Sequence, residues 1–131
     1  MNKFNAPLVK PNINKQISSD NEVPSFDFKH NKVNNFSVDD LDNENRIALL
    51  NTLYKYKDIT WTQIKTSGRH GAGTEKIDIS SLSFVLPTSI TADVNYLLAM
   101  RYHGNAPILG FRVGSIFHIV AIDHKFEAYE H

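Results

Sequence analysis

The C-terminal third of the chain alternates apolar and polar positions almost without a break, from Ile108 through Phe111, Arg112 and Val113, then Ile116 to Ile122, and on to Tyr129 and His131. A two-residue period of this kind predicts β-strands, and Gly114-Ser115 between two such runs suits a tight hairpin turn. That turn pairs Phe111 with His118 and sends Arg112 to the opposite face. A second turn at His124-Lys125 would set His118 against His131 and Val120 against Tyr129, so that His118, Tyr129 and His131 share one face. Tyr96 to His103 reads as the strand feeding this meander, and Leu82 to Leu86 as another short strand before Pro87.

Upstream the spacing becomes helical. Ser37 can cap free amides, Asp39 and Asp40 favour a helix N-terminus, and Ile47, Leu50 and Tyr54 recur at helical intervals, which predicts a helix to about Lys57. Thr60-Trp-Thr-Gln63 matches a capping box, with Trp61 and Ile64 on one face of a second, shorter helix that Gly68 ends. The glycine-rich stretch from Gly68 to Lys76 is expected to be a loop. Residues 1–36 are rich in Asn, Lys, Ser and Pro and read as an extended or partly disordered arm, in which Phe26 and Phe28 alternate as a short edge strand would. The expected architecture is α+β: a single domain over residues 37–131 with two N-terminal helices packed on an antiparallel β-meander, preceded by the arm.

Composition narrows the function classes. At 131 residues, 41 % hydrophobic and 21 % charged, the chain fits one globular domain with no membrane span. Lys plus Arg and Asp plus Glu both number 14, so any nucleic-acid contact must come from a local basic patch. The absence of cysteine excludes disulfides, zinc–thiolate centres and thiol nucleophiles. The N-terminal stretch lacks the continuous apolar run of a secretion signal, so a cytoplasmic location is expected. No metal site is expected either: Asp123 and His124 are adjacent and point to opposite sides of a strand, and no His-x-His or helical His-x-x-x-His pair occurs.

Two groups of residues carry candidate chemistry. Arg69, His70, Glu75 and Lys76 surround the glycines, a composition suited to holding a phosphate and moving a proton, although a solvated connection has the same composition. It lacks the Gly-Lys-Ser/Thr ending of a phosphate-binding P-loop. On the terminal strands, one imidazole of His118 or His131 can act as base and the other as acid near neutral pH, with the Tyr129 phenol orienting or donating. His118 lies between Ile116 and Val120, so a buried, hydrogen-bonded core histidine is the alternative. Arg101 and Arg112 are candidate anion holders or partners of carboxylates.

The order of two helices, a polar loop and a meander containing Gly110-Phe-Arg-Val-Gly-Ser-Ile-Phe-His-Ile-Val-Ala-Ile-Asp123 resembles the RelE/ParE-like toxin superfamily of bacterial toxin–antitoxin systems. The resemblance spans roughly residues 37–131. Arg112 resembles the first arginine of the family's hairpin motif, His118 stands in the region of the second, and Tyr129 with His131 resembles its terminal pair. It implies an endoribonuclease that cleaves mRNA by attack of a 2′-hydroxyl on the adjacent phosphate. His118 or His70 would be the base and His131 or Tyr129 the acid, with Arg101, Arg112 or Lys76 stabilising the added charge. No cofactor is implied; the implied partners are a cognate antitoxin protein and RNA or the ribosome. A non-enzymatic binding or regulatory protein of a mobile element, and a toxin of this fold that blocks a protein target, are the competing readings.

Overall fold

The computed structural model describes residues 19–68 and 73–130. Five strands form one sheet: β1 (Ser25–Asp27), β2 (Thr74–Asp78), β3 (Tyr96–His103), β4 (Ala106–Val113) and β5 (Ile116–Ile122), in the spatial order β1-β5-β4-β3-β2. The four later strands are antiparallel neighbours, whereas β1 runs parallel to β5, with Ser25 beside Ile116 and Asp27 beside His118. The α+β class holds. The expected antiparallel meander is corrected to a mixed sheet, and the two expected helices to one main helix, α1 (Asn43–Lys55), followed by the six-residue α2 (Trp61–Thr66). The arm is corrected as well, since from residue 19 onward it belongs to the domain: Phe26 lies in β1, and Val33 and Phe36 are buried.

Local chemistry explains where the helices begin. The Ser37 side chain and Asp40 form a reciprocal capping box, but it caps only the 3-10 turn Val38–Asp40, because Leu41 and Asp42 return to extended backbone. Asp42 then accepts the Asn45 amide and opens α1. The Thr60–Gln63 capping box opens α2 as the sequence leads one to expect.

α1 and α2 cover one face of the sheet, where Leu49, Tyr56, Trp61 and Ile64 meet Met100, Ile108, Phe117, Ile119 and Ile122. Each such fully buried Leu, Ile or Phe contributes about 1.5–3 kcal/mol. The other face is covered by irregular segments, with Val33, Phe36, Ile90, Ala128 and Tyr129 packed over Leu97, Ala99, Leu109 and Val120. α1 turns Leu49 and Thr52 inward, with Tyr56 following in the 3-10 turn Tyr56–Asp58, so the Ile47, Leu50 and Tyr54 stripe faces solvent. Thr52 Oγ1 donates to the Tyr102 carbonyl at 3.0 Å, where the β3–β4 register shifts between Arg101 and His103.

The β4–β5 hairpin has the expected register, Phe111 opposite His118 and Arg112 opposite Phe117, around Gly114 at φ 62°. Three other expectations are corrected. Leu82 to Leu86 is not a strand; Leu82 forms an isolated bridge with Tyr129. Thr74 to Lys76 leaves the glycine loop and enters β2. The last hairpin does not form: the chain turns at Asp123, whose carboxylate accepts the Glu127 amide at 2.7 Å, and Tyr129 therefore bridges Leu82 rather than facing Val120.

Candidate functional site

A cavity of about 570 Å³ opens on the helix side of the sheet, and the strand registers show why. β3 pairs with β2 from Tyr96 onward but with β4 only from Leu98, while β4 stays paired with β5 as far as Val113. The β2–β3 and β4–β5 pairs therefore part beyond the Leu98–Gly110 step. α2 lies along one side, and the segment before β3 along another, so the gap becomes a groove. On the other side of β4 Gly110 lets β5 approach closely: a Cβ there would stand 2.3 Å from the His118 carbonyl oxygen and 2.7 Å from the Phe117 ring.

Three cations line the groove, Lys65 from α2, Lys76 from β2 and Arg112 from β4. Arg112 is the most constrained. Its guanidinium lies 4.3 Å from the centre of the Trp61 ring, its Nε donates to the Gly114 carbonyl at 2.6 Å, and its Nη2 donates to Ser19 and ion-pairs with Asp20. Asp20 also accepts from Lys65 at 2.9 Å, and these two cations hold its carboxyl below the ordinary 3.8. Lys76 is exposed, with its ammonium 4.7 Å from the centre of the half-exposed Tyr96 ring. Thr74, Thr91 and Asn95 add neutral hydrogen-bonding groups, and Asp93 adds one carboxylate. Such a site can take an anion beside a flat apolar group.

His118 stands behind this groove rather than in it. Phe111 lines the groove on one side and stacks on His118 at 4.9 Å. Only 7 % of His118 is exposed, and its Nδ1 lies 3.4 Å from Asp27 Oδ1, close enough for an ion pair but out of line for a hydrogen bond. Asp27 is held below the ordinary carboxylate value first by the Lys29 amide at 2.8 Å, with His118 adding to that. His30, which sequence reasoning missed, meets the His118 ring edge-on at 5.5 Å and bonds Ser89 Oγ through Nδ1 at 2.8 Å. Burial, then the fields of His118 and Lys29, push the His30 imidazole below 6.5. No local signal marks His30, because its neighbour His118 arrives through the β1–β5 pairing.

The remaining candidates separate. Arg101 and Tyr129 sit on the same face as His118, but Arg101 pairs across from Pro107 and His118 across from Phe111, four residues along β4 and so roughly 13 Å apart along the strand. There Arg101 ion-pairs with Glu75 at 2.9 Å and donates to the Tyr129 hydroxyl at 3.4 Å. Tyr129 is buried. The carboxylate-paired alternative therefore describes both arginines, with Glu75 and Asp20 as the partners. Arg69, His70 and His131 lie outside the described residues. Of the residues singled out from sequence, the groove brings Lys76 and Arg112 together, and it recruits Lys65, Trp61 and Tyr96, which were not singled out as site residues.

Among the described residues no group of three or more His, Asp or Glu side chains is placed to hold a metal ion, and no helix is long and apolar enough to cross a membrane. No protein-family model matches the chain, and comparison with curated proteins and with solved structures gives no match.

Proposed function

We propose that the protein acts on RNA, in keeping with the toxin-like reading of its sequence, and that it holds a single strand in the groove between α2 and the open end of the sheet. The convergence of Lys65, Lys76 and Arg112 with the exposed Tyr96 ring in one cavity carries this reading. Single strands need cations for phosphates and an accessible ring for unstacked bases, and a cavity of this volume suits one or two nucleotides better than a duplex. The zero net charge is compatible with it, because the cations are gathered locally. His118 is screened by Phe111, and Tyr129 is buried beside Arg101 at the other end of the sheet. The proposal therefore gives neither an acid/base role, and it rests on strand binding.

The test is fluorescence anisotropy with a labelled single-stranded RNA, with duplex DNA of equal length as the competitor. Binding to the single strand that weakens in Lys76→Glu and resists the duplex supports the proposal. Equal competition by the duplex, or binding indifferent to Lys76→Glu, refutes it. Primer extension on mRNA from a bacterial host expressing the protein addresses cleavage separately: new 5′ ends that persist in His118→Ala would place the chemistry elsewhere than at His118.

A further inference from the structure

Ile47, Leu50 and Tyr54 of α1 are 61 %, 68 % and 66 % exposed. At 100° per residue they fall in one stripe on the side of the helix directly opposite Leu49 and Thr52, the side chains α1 turns into the core. Three large apolar groups in such a row form a patch of the few-hundred-Å² size that marks an interaction surface. We propose that this stripe is the interface with a second copy of the chain, two α1 helices packing antiparallel about a two-fold axis.

Charge complementarity identifies the occupant. Acidic residues lead into α1, Asp39 and Asp40 in the 3-10 turn before it, Asp42 at its N-cap and Glu44 in its first turn, against the single cation Arg46; at the other end Lys55 closes the helix and Lys57 follows beside Asp58 in the 3-10 turn Tyr56–Asp58. Antiparallel packing centred between Leu50 and Asn51 sets Ile47 of one copy against Tyr54 of the other, and brings Glu44 beside the second copy's Lys55. The two-fold axis makes the same contact twice. Glu44 and Lys55 also lie on one flank of the stripe at helical spacing, so they meet on the same side of the contact. Opposed helix dipoles favour the same orientation, and parallel packing would place like charges together. Present contacts of these groups are exposed: Glu44 lies 3.6 Å from His103, and Lys57 pairs with its neighbour Asp58 at 2.7 Å and sits 4.1 Å above the Tyr54 ring. A contact built on one helix buries less than the roughly 800 Å² per partner of a standard stable interface, so the dimer is expected to be concentration-dependent.

Sedimentation velocity on the full chain, from low-micromolar to near-millimolar concentration, tests this. The wild type is expected to pass from monomer to dimer, and Leu50→Glu to remain monomeric with an unchanged melting temperature, since Leu50 is exposed. Glu44→Lys and Lys55→Glu alone should each weaken dimerisation by about 10-fold, and the double exchange should restore it. A monomer at every concentration would assign the stripe to a different protein and overturn the proposal. A dimer that tolerates Leu50→Glu, or a double exchange that fails to rescue, would overturn it too.

Discussion

Replacing Lys76 by Ala removes one cation from the groove with little effect on the fold, because the side chain is exposed and its contact with Tyr96 is worth only about 0.5–1 kcal/mol. Its effect on RNA binding can be worked out from counterion release. Each phosphate neutralised on a single strand contributes about 0.7 to the slope of log affinity against log salt, so the three groove cations together give a slope near −2.1 once phosphates displace Asp20 from Lys65 and Arg112. Between about 50 and 200 mM salt the wild-type affinity should then fall about 18-fold. With two cations the slope becomes about −1.4 and the fall about 7-fold. Anisotropy titrations with one labelled RNA across that salt range measure both slopes, and Lys125→Ala, an exposed cation beyond β5, serves as the control that should keep the wild-type slope. Equal slopes for wild type and Lys76→Ala would sink the argument, as would a control that loses as much as the groove variant. Either result would mean that whatever binds RNA does so away from this groove.

Three further outcomes follow from the packing. Thr52→Val keeps the buried volume but leaves the Tyr102 carbonyl without its 3.0 Å donor, and should cost about 1–3 kcal/mol in urea unfolding; Thr52→Ser, which keeps the hydroxyl, should cost less if the bond is what matters. Gly110→Ala drives a methyl into the His118 carbonyl and the Phe117 ring, and a loss of about 1–3 kcal/mol or more is expected; a melting temperature equal to wild type would show that β4 and β5 have room for a methyl there. His30 is held neutral in the fold, with its affinity for protons below that of the unfolded chain, so it leaves stability untouched above about pH 6.5 and lowers it as pH falls from there toward the folded value. Asp27, held below 3.8, acts only in a more acidic window, so unfolding curves between pH 7.5 and 5 should slope less in His30→Gln than in wild type, and parallel slopes would contradict the assignment.

Much of the local structure was readable because its causes lie within a few residues. The Thr60–Gln63 box, the Gly114 turn with its Phe111–His118 register, and the span of β3 all depend on neighbours in sequence. Where a short-range signal was ambiguous, the reading went astray. α1 carries two apolar stripes, and the regular one, Ile47 to Tyr54, is the outer one; the inner one includes Thr52, which polarity alone would place in solvent. The glycines before Thr74 hid a five-residue strand, and His124-Lys125 looked like a turn that the Asp123 carboxylate closes differently.

Residue order alone thus specified the α+β class, the β4–β5 hairpin, the Thr60 cap, and two of the three groove cations as residues of interest. It could not specify the groove, the His30–His118 contact or the separation of Arg101 from His118. These arise from pairings between distant segments: β1 finds β5 in parallel, Asp20 ties Arg112 to Lys65, and the β2–β3 pair parts from β4–β5 beyond Gly110. Periodicity marks the apolar sides of a segment, but the energy that selects its neighbour is shared between segments, so neither one carries the answer alone.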